Sequence, residues 1–213
     1  MKINKVLIAI LLGTFLFSCS STKITSSWKA ESTSTKIYHN IMVWGILTEK
    51  DSSLREKMET HLVNDLAVKG YHAISSSSVF GSRAYKKLSE KEIVEQFKNS
   101  GVDAVITIVL LDKSKEEIYV PPGIINNPAA FDHVDKYYST VYDKVFSPGY
   151  YVTTTNYFWE SNLFEVSADK LVYSARTKSF DPSSTEMLGH ENGVVILKDM
   201  IKKKVILYRV KED

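Results

Sequence analysis

The sequence predicts an α/β fold, with a β-α-β-α-β start and a mixed sheet, a long carboxyl-side β-hairpin and a terminal helix. Three observations predict it. Apolar strand patterns alternate with amphipathic helix patterns in the first half, and each helix pattern ends at a glycine. Residues 70–74 and 101–105 share the pattern Gly-x-x-Ala-aliphatic, which indicates two β-α units in series. The carboxyl-side half contains two β-rich segments joined by a short turn.

The first strand and the first helix are marked by their residue patterns. Residues 36–47 form a nearly continuous apolar run without helix caps, which is typical of a strand buried on both faces. Ser53-Leu54-Arg55-Glu56 has the spacing of a capping box, and Gly70 follows the last turn. The predicted helix places an apolar stripe on one face: Leu54, Met58, Leu62, Val63 and Leu66.

The second unit repeats this order. Residues 71–74 predict a short strand, residues 75–83 a polar loop, and Ser89-Glu90-Lys91-Glu92 a second capping box that heads a helix. Residues 102–111 are the most apolar segment after the amino terminus and predict a central strand. This order implies crossover connections and largely parallel pairing.

The carboxyl-side half predicts a hairpin and a last helix. Residues 151–166 and 171–177 flank the turn at Ser167-Ala168-Asp169-Lys170. A strand of that first length would reach about 50 Å, so we expect a bulge or an arm that projects past the sheet. Residues 181–186 open the terminal helix, whose stripe we predict as Val194, Leu197, Ile201, Val205 and Tyr208.

Residues 119–151 form an aromatic-rich insertion in which the sequence predicts no periodic structure. A loop of this length in a compact domain is usually functional or disordered, and its aromatic content argues against plain disorder. Tyrosine is enriched at protein interfaces. The candidate partner-binding residues are therefore Tyr137, Tyr138, Tyr142 and Tyr150. The alternative is that these rings fold back over a face of the sheet.

The amino terminus predicts where the protein works. Lys2 and Lys5 precede an apolar run, residues 6–17, that is too short to span a bilayer and is typical of a secretory signal. The run leads into Leu16-Phe17-Ser18-Cys19, which resembles the lipobox of bacterial lipoproteins. That resemblance implies a signal peptide at residues 1–18 and lipid attachment at Cys19, the only cysteine in the chain.

The residues after Cys19 complete the predicted organisation. Ser20 resembles the outer-membrane sorting signal of such lipoproteins, which implies a lipid-anchored protein at the periplasmic face of the bacterial outer membrane. Residues 19–35 are rich in Ser, Thr and Lys, and predict a flexible tether. Residues 36–213 predict a single α/β domain.

Composition excludes several classes of function. The chain has 27 basic and 25 acidic side chains, and removal of Lys2 and Lys5 with the signal leaves a neutral chain, so no nucleic-acid partner is expected. Its five histidines are scattered without metal-ligand spacing, and we predict no metal, no cofactor and no catalytic residue. A hydrolase that uses residues 75–78 with His72 or His133 remains an alternative.

Several short motifs together carry a resemblance over most of the chain. They are Ser26-Ser27-Trp28-Lys29, Gly101-Val102-Asp103-Ala104-Val105, Tyr119-Val120-Pro121-Pro122, Ser147-Pro148-Gly149-Tyr150 and Phe180-Asp181-Pro182-Ser183-Ser184. They resemble a group of small bacterial envelope lipoproteins of uncharacterised function. At fold level the β-α-β-α-β start is also similar to the periplasmic domain of the curli secretion lipoprotein and to the amino-terminal domain of the Tol propeller protein.

These resemblances imply interaction or assembly in the envelope and bring no catalytic residue. The sequence therefore predicts a non-enzymatic, lipid-anchored binding or assembly module. It would act in the periplasm on an envelope protein partner or through self-association. An alternative from a different class of function is that the chain is a subunit of an oligomeric outer-membrane secretion channel.

Overall fold

The computed structural model describes residues 20–31, 35–81, 89–121, 133–146 and 148–207, and their strands form a mixed six-stranded sheet in the order β1-β6-β5-β4-β2-β3. The strands are β1 (Thr22–Lys29), β2 (Asn40–Ile46), β3 (His72–Ser75), β4 (Ala104–Val120), β5 (Tyr150–Glu165) and β6 (Lys170–Phe180). The helices are α1 (Ser52–Val68), α2 (Ser76–Phe80), α3 (Glu90–Asn99), α4 (Val134–Val145) and α5 (Thr185–Lys202). The predicted α/β class is confirmed.

The parallel half of the sheet follows the predicted β-α-β-α-β order. β2 lies between β3 and β4 and pairs with both in parallel. Ile41, Met42 and Val43 in β2 are each 0 % exposed, so both faces of this strand are covered, as its continuous apolar run predicts. α1 connects β2 to β3, and α2 and α3 lie between β3 and β4.

Helices α1 and α5 pack together over one face of the sheet. The predicted α1 stripe is buried at Leu54, Met58, Leu62 and Leu66. The predicted capping box at Ser53 is wrong, because a 3-10 turn, Glu49–Asp51, leads into α1 and Ser53 already lies inside the helix. Gly70 has φ +82°, a conformation that glycine adopts without strain, and it ends the turn after α1 as expected.

Helix α3 covers the other face over β2 and β4. Its predicted capping box forms between Ser89 and Glu92, in both directions. Phe97 packs with Met42 and Val105, and its ring meets Trp44 edge-on at a centroid distance of 5.1 Å. This second core is smaller than the first, and it closes the sheet only on the side of its parallel strands.

The predicted flexible tether is wrong for its described part, because residues 22–29 form strand β1. β1 pairs antiparallel with β6 at the edge of the sheet, and a bulge lies between Ile24 and Ser26. Thr22 is buried, and its hydroxyl oxygen lies 2.7 Å from that of Ser179. An edge strand needs only one covered face, so β1 folds with a polar composition that is also typical of a tether.

Two further segments differ from their predictions. The predicted polar loop at 75–83 contains helix α2, for which Ser75 is the N-cap. In α5 the N-cap is Ser184, and the fully buried side chains include Leu188, Ile196 and Met200, which the predicted stripe omits. α5 ends at Lys202, so Val205 is buried beyond the helix; Tyr208 lies outside the described residues.

The aromatic insertion is partly helical, contrary to prediction. α4 occupies residues 134–145, and apolar side chains recur at helical spacing within it: Val134, Tyr137, Tyr138, Val141 and Tyr142. The helical period is present in the sequence, but the six polar residues of the helix and the absence of capping signals obscure it. No side chain caps the amino end of α4 at His133.

Candidate interaction surface

The long central strands extend beyond the rest of the sheet at one end. β4 and β5 remain paired out to Val120 opposite Tyr150, whereas β6 ends opposite Asn156 and β2 ends earlier on β4. We call this two-stranded extension, residues 115–120 with residues 150–155, the arm. The structure has a bulge in β4, between Leu110 and Asp112, and not in β5, for which the length argument predicted one. The predicted hairpin of β5 and β6 is present, but the projecting arm is formed by β4 and β5.

Asp181 separates the arm from the rest of the sheet. The backbone N–H of Thr155 donates to Asp181 Oδ1 at 3.1 Å, and the backbone N–H of Asp181 donates to the carbonyl of Thr155 at 2.8 Å. Asp181 has φ +42°, so the chain turns sharply here. Within the part of the chain that the structure describes, no strand pairs with β5 on this side beyond Thr155.

Aromatic rings cover the tip of the arm and are exposed to solvent. The rings of Tyr119 and Tyr151, opposite each other on β4 and β5, have a centroid distance of 5.3 Å. Tyr150 is 61 % exposed and Tyr151 is 68 % exposed. Gly149 lies against Tyr119, where an added Cβ would come within 2.3 Å of the tyrosine hydroxyl. A glycine at this position therefore allows Tyr119 to lie flat against the chain.

Helix α4 carries a second row of exposed rings. Tyr138, Tyr142 and Phe146 follow one another at four-residue spacing, and their centroid distances are 5.5 Å and 4.3 Å. Tyr138 is 63 % exposed and Phe146 is 68 % exposed. The three rings form a continuous ridge that packs against itself and leaves much of its surface accessible.

The structure places the predicted partner-binding residues on two elements that follow each other in the chain. Tyr137, Tyr138 and Tyr142 lie on α4, and Tyr150 is the first residue of β5, shortly after the helix. Sequence reasoning did not select Tyr119, Phe146 or Tyr151 as site residues. Alternation in the arm and the four-residue spacing in α4 could have identified them. The predicted lipid attachment site, Cys19, and the predicted signal peptide lie outside the described residues.

The two strands of the arm differ in charge. β4 carries Lys115, Glu116 and Glu117, whereas residues 150–155 of β5 are Tyr-Tyr-Val-Thr-Thr-Thr and carry no charge. Charged side chains are a common protection of edge strands against pairing with other chains. The β5 edge of the arm lacks this protection.

A buried carboxyl group joins three elements of the body. Glu59 on α1 is 0 % exposed and joins three elements: its carboxyl accepts from Gly45 N (2.7 Å), Ser76 Oγ (2.7 Å) and Ser77 N (2.9 Å). Gly45 leaves room for the side chains of α1, since an added Cβ would lie 2.5 Å from Cγ of Arg55 and 3.1 Å from Oε1 of Glu59. The carboxyl group thus holds β2 and the start of α2 against α1.

A second polar cluster lies between α1 and α5. His190 Nδ1 lies 3.6 Å from Asp65 Oδ1, and Asp65 Oδ2 is buried without a hydrogen-bond partner. Burial raises the pKa of Asp65, and the nearby His190 and His61 act in the opposite direction. Gly193 gives the carboxyl room, because an added Cβ would lie 2.4 Å from Oδ2.

The serines of the hydrolase alternative have local structural contacts. Ser75 caps α2 by accepting from Ser78 N, and Ser78 Oγ donates back to the carbonyl of Ser75 at 2.7 Å. Across the described ranges, no three or more His, Cys, Asp or Glu side chains are grouped so that they could hold a metal ion. None of the helices described here has both the length and the apolar character that crossing a membrane would require.

Comparisons with known proteins give distant structural neighbours. No protein-family model and no curated protein sequence matches the chain. The PelC dodecamer from Paraburkholderia phytofirmans is similar at 9 % identity and a TM-score of 0.45, over 88 % of this chain and 99 % of that one. Lipoprotein GNA1162 from Neisseria meningitidis is similar at 11 % identity and a TM-score of 0.42, over 77 % and 99 %.

A third neighbour is a neuraminyllactose-binding hemagglutinin homolog from Helicobacter pylori, at 11 % identity and a TM-score of 0.37, over 78 % of this chain and 84 % of that one. Similarities of this size carry no argument about function. They place a lipoprotein among the distant neighbours of the chain, while the resemblances to the curli and Tol proteins remain predictions.

Proposed function

We propose that this chain is a lipid-anchored protein of the bacterial envelope that acts as a non-enzymatic binding or assembly module. Its anchor would be a lipid at Cys19, and it would lie at the periplasmic face of the outer membrane. Its contact surface would be the arm together with α4. The predicted signal and lipobox support the location, and the exposed aromatic rings support the surface.

The observation that carries this proposal is the exposure of aromatic rings on the arm and on α4. Seven side chains on the arm and α4 are between 46 % and 68 % exposed: Tyr119, Tyr137, Tyr138, Tyr142, Phe146, Tyr150 and Tyr151. In the body, by contrast, Trp159 and Tyr173 are fully buried. Tyrosine contributes large contact area at low entropic cost and is frequent among the residues that dominate binding energy.

Photocrosslinking in intact cells tests the surface. We would place a photoreactive amino acid at Tyr138 or Tyr142, with Val68 on α1 as the control because it is 73 % exposed and lies on the body. We expect a discrete crosslinked product, with an envelope protein or a second copy, from the two α4 positions and none from Val68. Crosslinks within one chain only, or the same products from Val68, would contradict the proposal.

The anchor is tested separately. Cells fed with labelled palmitate should incorporate the label into the wild-type chain and not into Cys19→Ser. Partners captured only by the lipidated form would show that membrane placement controls the encounter. An unlabelled wild-type product would refute the lipid anchor and would leave the aromatic contact surface open to the crosslinking test.

A further inference from the structure

The open edge of the arm has a defined set of backbone groups that no described residue pairs. Thr155 directs both its N–H and its C=O towards Asp181, away from β4. Alternate residues of a strand direct their backbone groups to the same side, and the register of β5 against β4 is regular from Thr155 to Tyr150. The N–H and C=O groups of Thr153 and Tyr151 therefore also point to this edge, where no described residue bonds them.

This edge has the composition of a strand that pairs well. Tyr151, Val152 and Thr153 are aromatic or β-branched, and none of the residues 150–155 is proline, glycine or charged. The opposite edge of the arm belongs to β4, where Lys115, Glu116 and Glu117 oppose pairing with another strand. A two-stranded ribbon is by itself marginally stable in water, so the arm gains stability from a third strand.

We propose that the arm binds a second copy of this chain through the β5 edge, antiparallel and about a two-fold axis at Val152. This inference deepens the proposed function and rests on it, because it names the partner of the arm. Tyr151 of one copy lies opposite Thr153 of the other in a hydrogen-bonded pair, and the symmetric pair forms as well. Each pair exchanges two N–H···O=C bonds, so the contact has four.

Self-complementarity supports a second copy as the occupant. In a two-fold pairing the two β5 edges are identical and face each other. A charged side chain near the axis would therefore lie close to the same charge on the partner copy. The β5 edge carries none, and it places Val152 against its own symmetry mate. The exposed rings of Tyr150 and Tyr151 then flank the new strand pair on its two faces and can be covered by the partner arm.

A single cysteine at the axis tests the pairing. Val152 lies between the two hydrogen-bonded pairs, so it forms a non-hydrogen-bonded pair with its mate, at a Cα separation of about 4.5 Å that a disulfide can bridge. Val152→Cys in the Cys19→Ser background should give a disulfide-linked dimer under mild oxidation. The matched control is Ile118→Cys, which lies directly opposite on β4 with similar exposure, 42 % against 38 %.

In the proposed dimer the two Ile118 positions lie three strand spacings apart, roughly 14 Å, which is too far for a disulfide. Dimer from Val152→Cys and none from Ile118→Cys supports the pairing. Equal yields from both variants, or no dimer from Val152→Cys across a concentration series, would overturn it.

Proline at position 153 gives a second and independent test. The N–H of Thr153 points out of the arm, so Thr153→Pro keeps the hydrogen bonds to β4 but removes one intermolecular donor per copy. We expect the dissociation constant of the dimer to rise at least about tenfold, since two hydrogen bonds are lost per dimer. Thr153→Ala keeps the N–H and should change it much less.

Sedimentation of the full chain measures both variants, and circular dichroism confirms that they are folded. Equal dissociation constants for Thr153→Pro and Thr153→Ala would contradict the edge pairing. Failure of these tests differs from failure of the proposed function: photocrosslinks from Tyr138 to another protein, without a disulfide at Val152→Cys, would keep the aromatic surface and reject the second copy.

Discussion

Strand β5 belongs to two regions with opposite environments. At its body end, Trp159 is 0 % exposed and belongs to the core that α1 and α5 cover. Its ring stacks with the ring of Tyr157. At its arm end, Tyr150 and Tyr151 are more than half exposed. The change occurs at Asn156, where β6 ends and the sheet becomes two strands wide. The same residue types therefore stabilise the fold in one region and remain available for contacts in the other.

The largest expected effect is in the body, at Glu59. Glu59→Ala removes the acceptor of three hydrogen bonds and leaves buried donors without partners, so we expect a loss of about 3–5 kcal/mol in the free energy of unfolding. Glu56→Ala, on the exposed side of the same helix, is the control. Urea denaturation measures both, and similar losses for the two would show that Glu59 does not join the elements.

Two alanine truncations compare how much the main core and the exposed ridge on α4 contribute to stability. Leu62→Ala opens a cavity in the main core and should cost about 2–5 kcal/mol, whereas Tyr142→Ala on the exposed ridge should change stability by no more than about 0.5 kcal/mol. In the photocrosslinking assay with the photoreactive residue at Tyr138, Tyr142→Ala should reduce the crosslinked product more than Leu62→Ala does. A large loss of stability from Tyr142→Ala would mean that α4 is part of the folded core.

The Asp65 carboxyl predicts a pH dependence in the body. Its pKa is raised by burial, so the folded chain binds this proton more tightly than the unfolded chain. The stability that it contributes is complete below the unfolded pKa and is lost as the pH rises through the folded pKa. Asp65→Asn should therefore unfold at higher urea than wild type at neutral pH, and the difference should shrink on acidification.

His190, His61 and Lys69 lie near Asp65 and reduce this effect, because they act to lower the pKa of its carboxyl. His190→Gln should therefore make the loss of stability with rising pH steeper. A difference in stability between wild type and Asp65→Asn that stays the same from acidic to neutral pH would contradict the assignment.

The smallest expected effect on stability is next to the arm, at Gly149. Gly149→Ala places a methyl group against Tyr119 and must displace that ring, yet the arm has few buried contacts to lose. We expect an unchanged melting temperature within error and an altered tyrosine environment in near-ultraviolet circular dichroism. A clear drop in the melting temperature would place the arm within the cooperative unit of the body.

The sequence predicted the elements that are amphipathic or continuously apolar. The α1 stripe, the capping box of α3 and the doubly buried β2 follow from side-chain patterns that depend on neighbours along the chain. Strand β1 could not be predicted in this way, because its contacts with Ser179 and with the backbone of β6 lie far away in sequence. Its polar composition alone describes an edge strand and a tether equally well.

The candidate site was predicted in part. Tyrosine content identified Tyr137, Tyr138, Tyr142 and Tyr150, but the expectation of a structureless loop hid their arrangement on α4 and the arm. The predicted central strand ends at residue 111, whereas β4 continues to Val120 through a run that includes the charged residues Asp112, Lys113, Lys115, Glu116 and Glu117. They are instead half of a ribbon with solvent on its edge, where charge is tolerated.

The position of β1 has a consequence for how the molecule would stand on a bilayer. Thr22 enters the sheet three residues after Cys19, so acyl chains at that cysteine would be joined to the sheet by about 10 Å of backbone at most. One edge of the domain would lie against the lipid headgroups, and the domain could not rotate freely away from the membrane. The height of each surface above the lipid would then be set by the rigid fold rather than by a spacer.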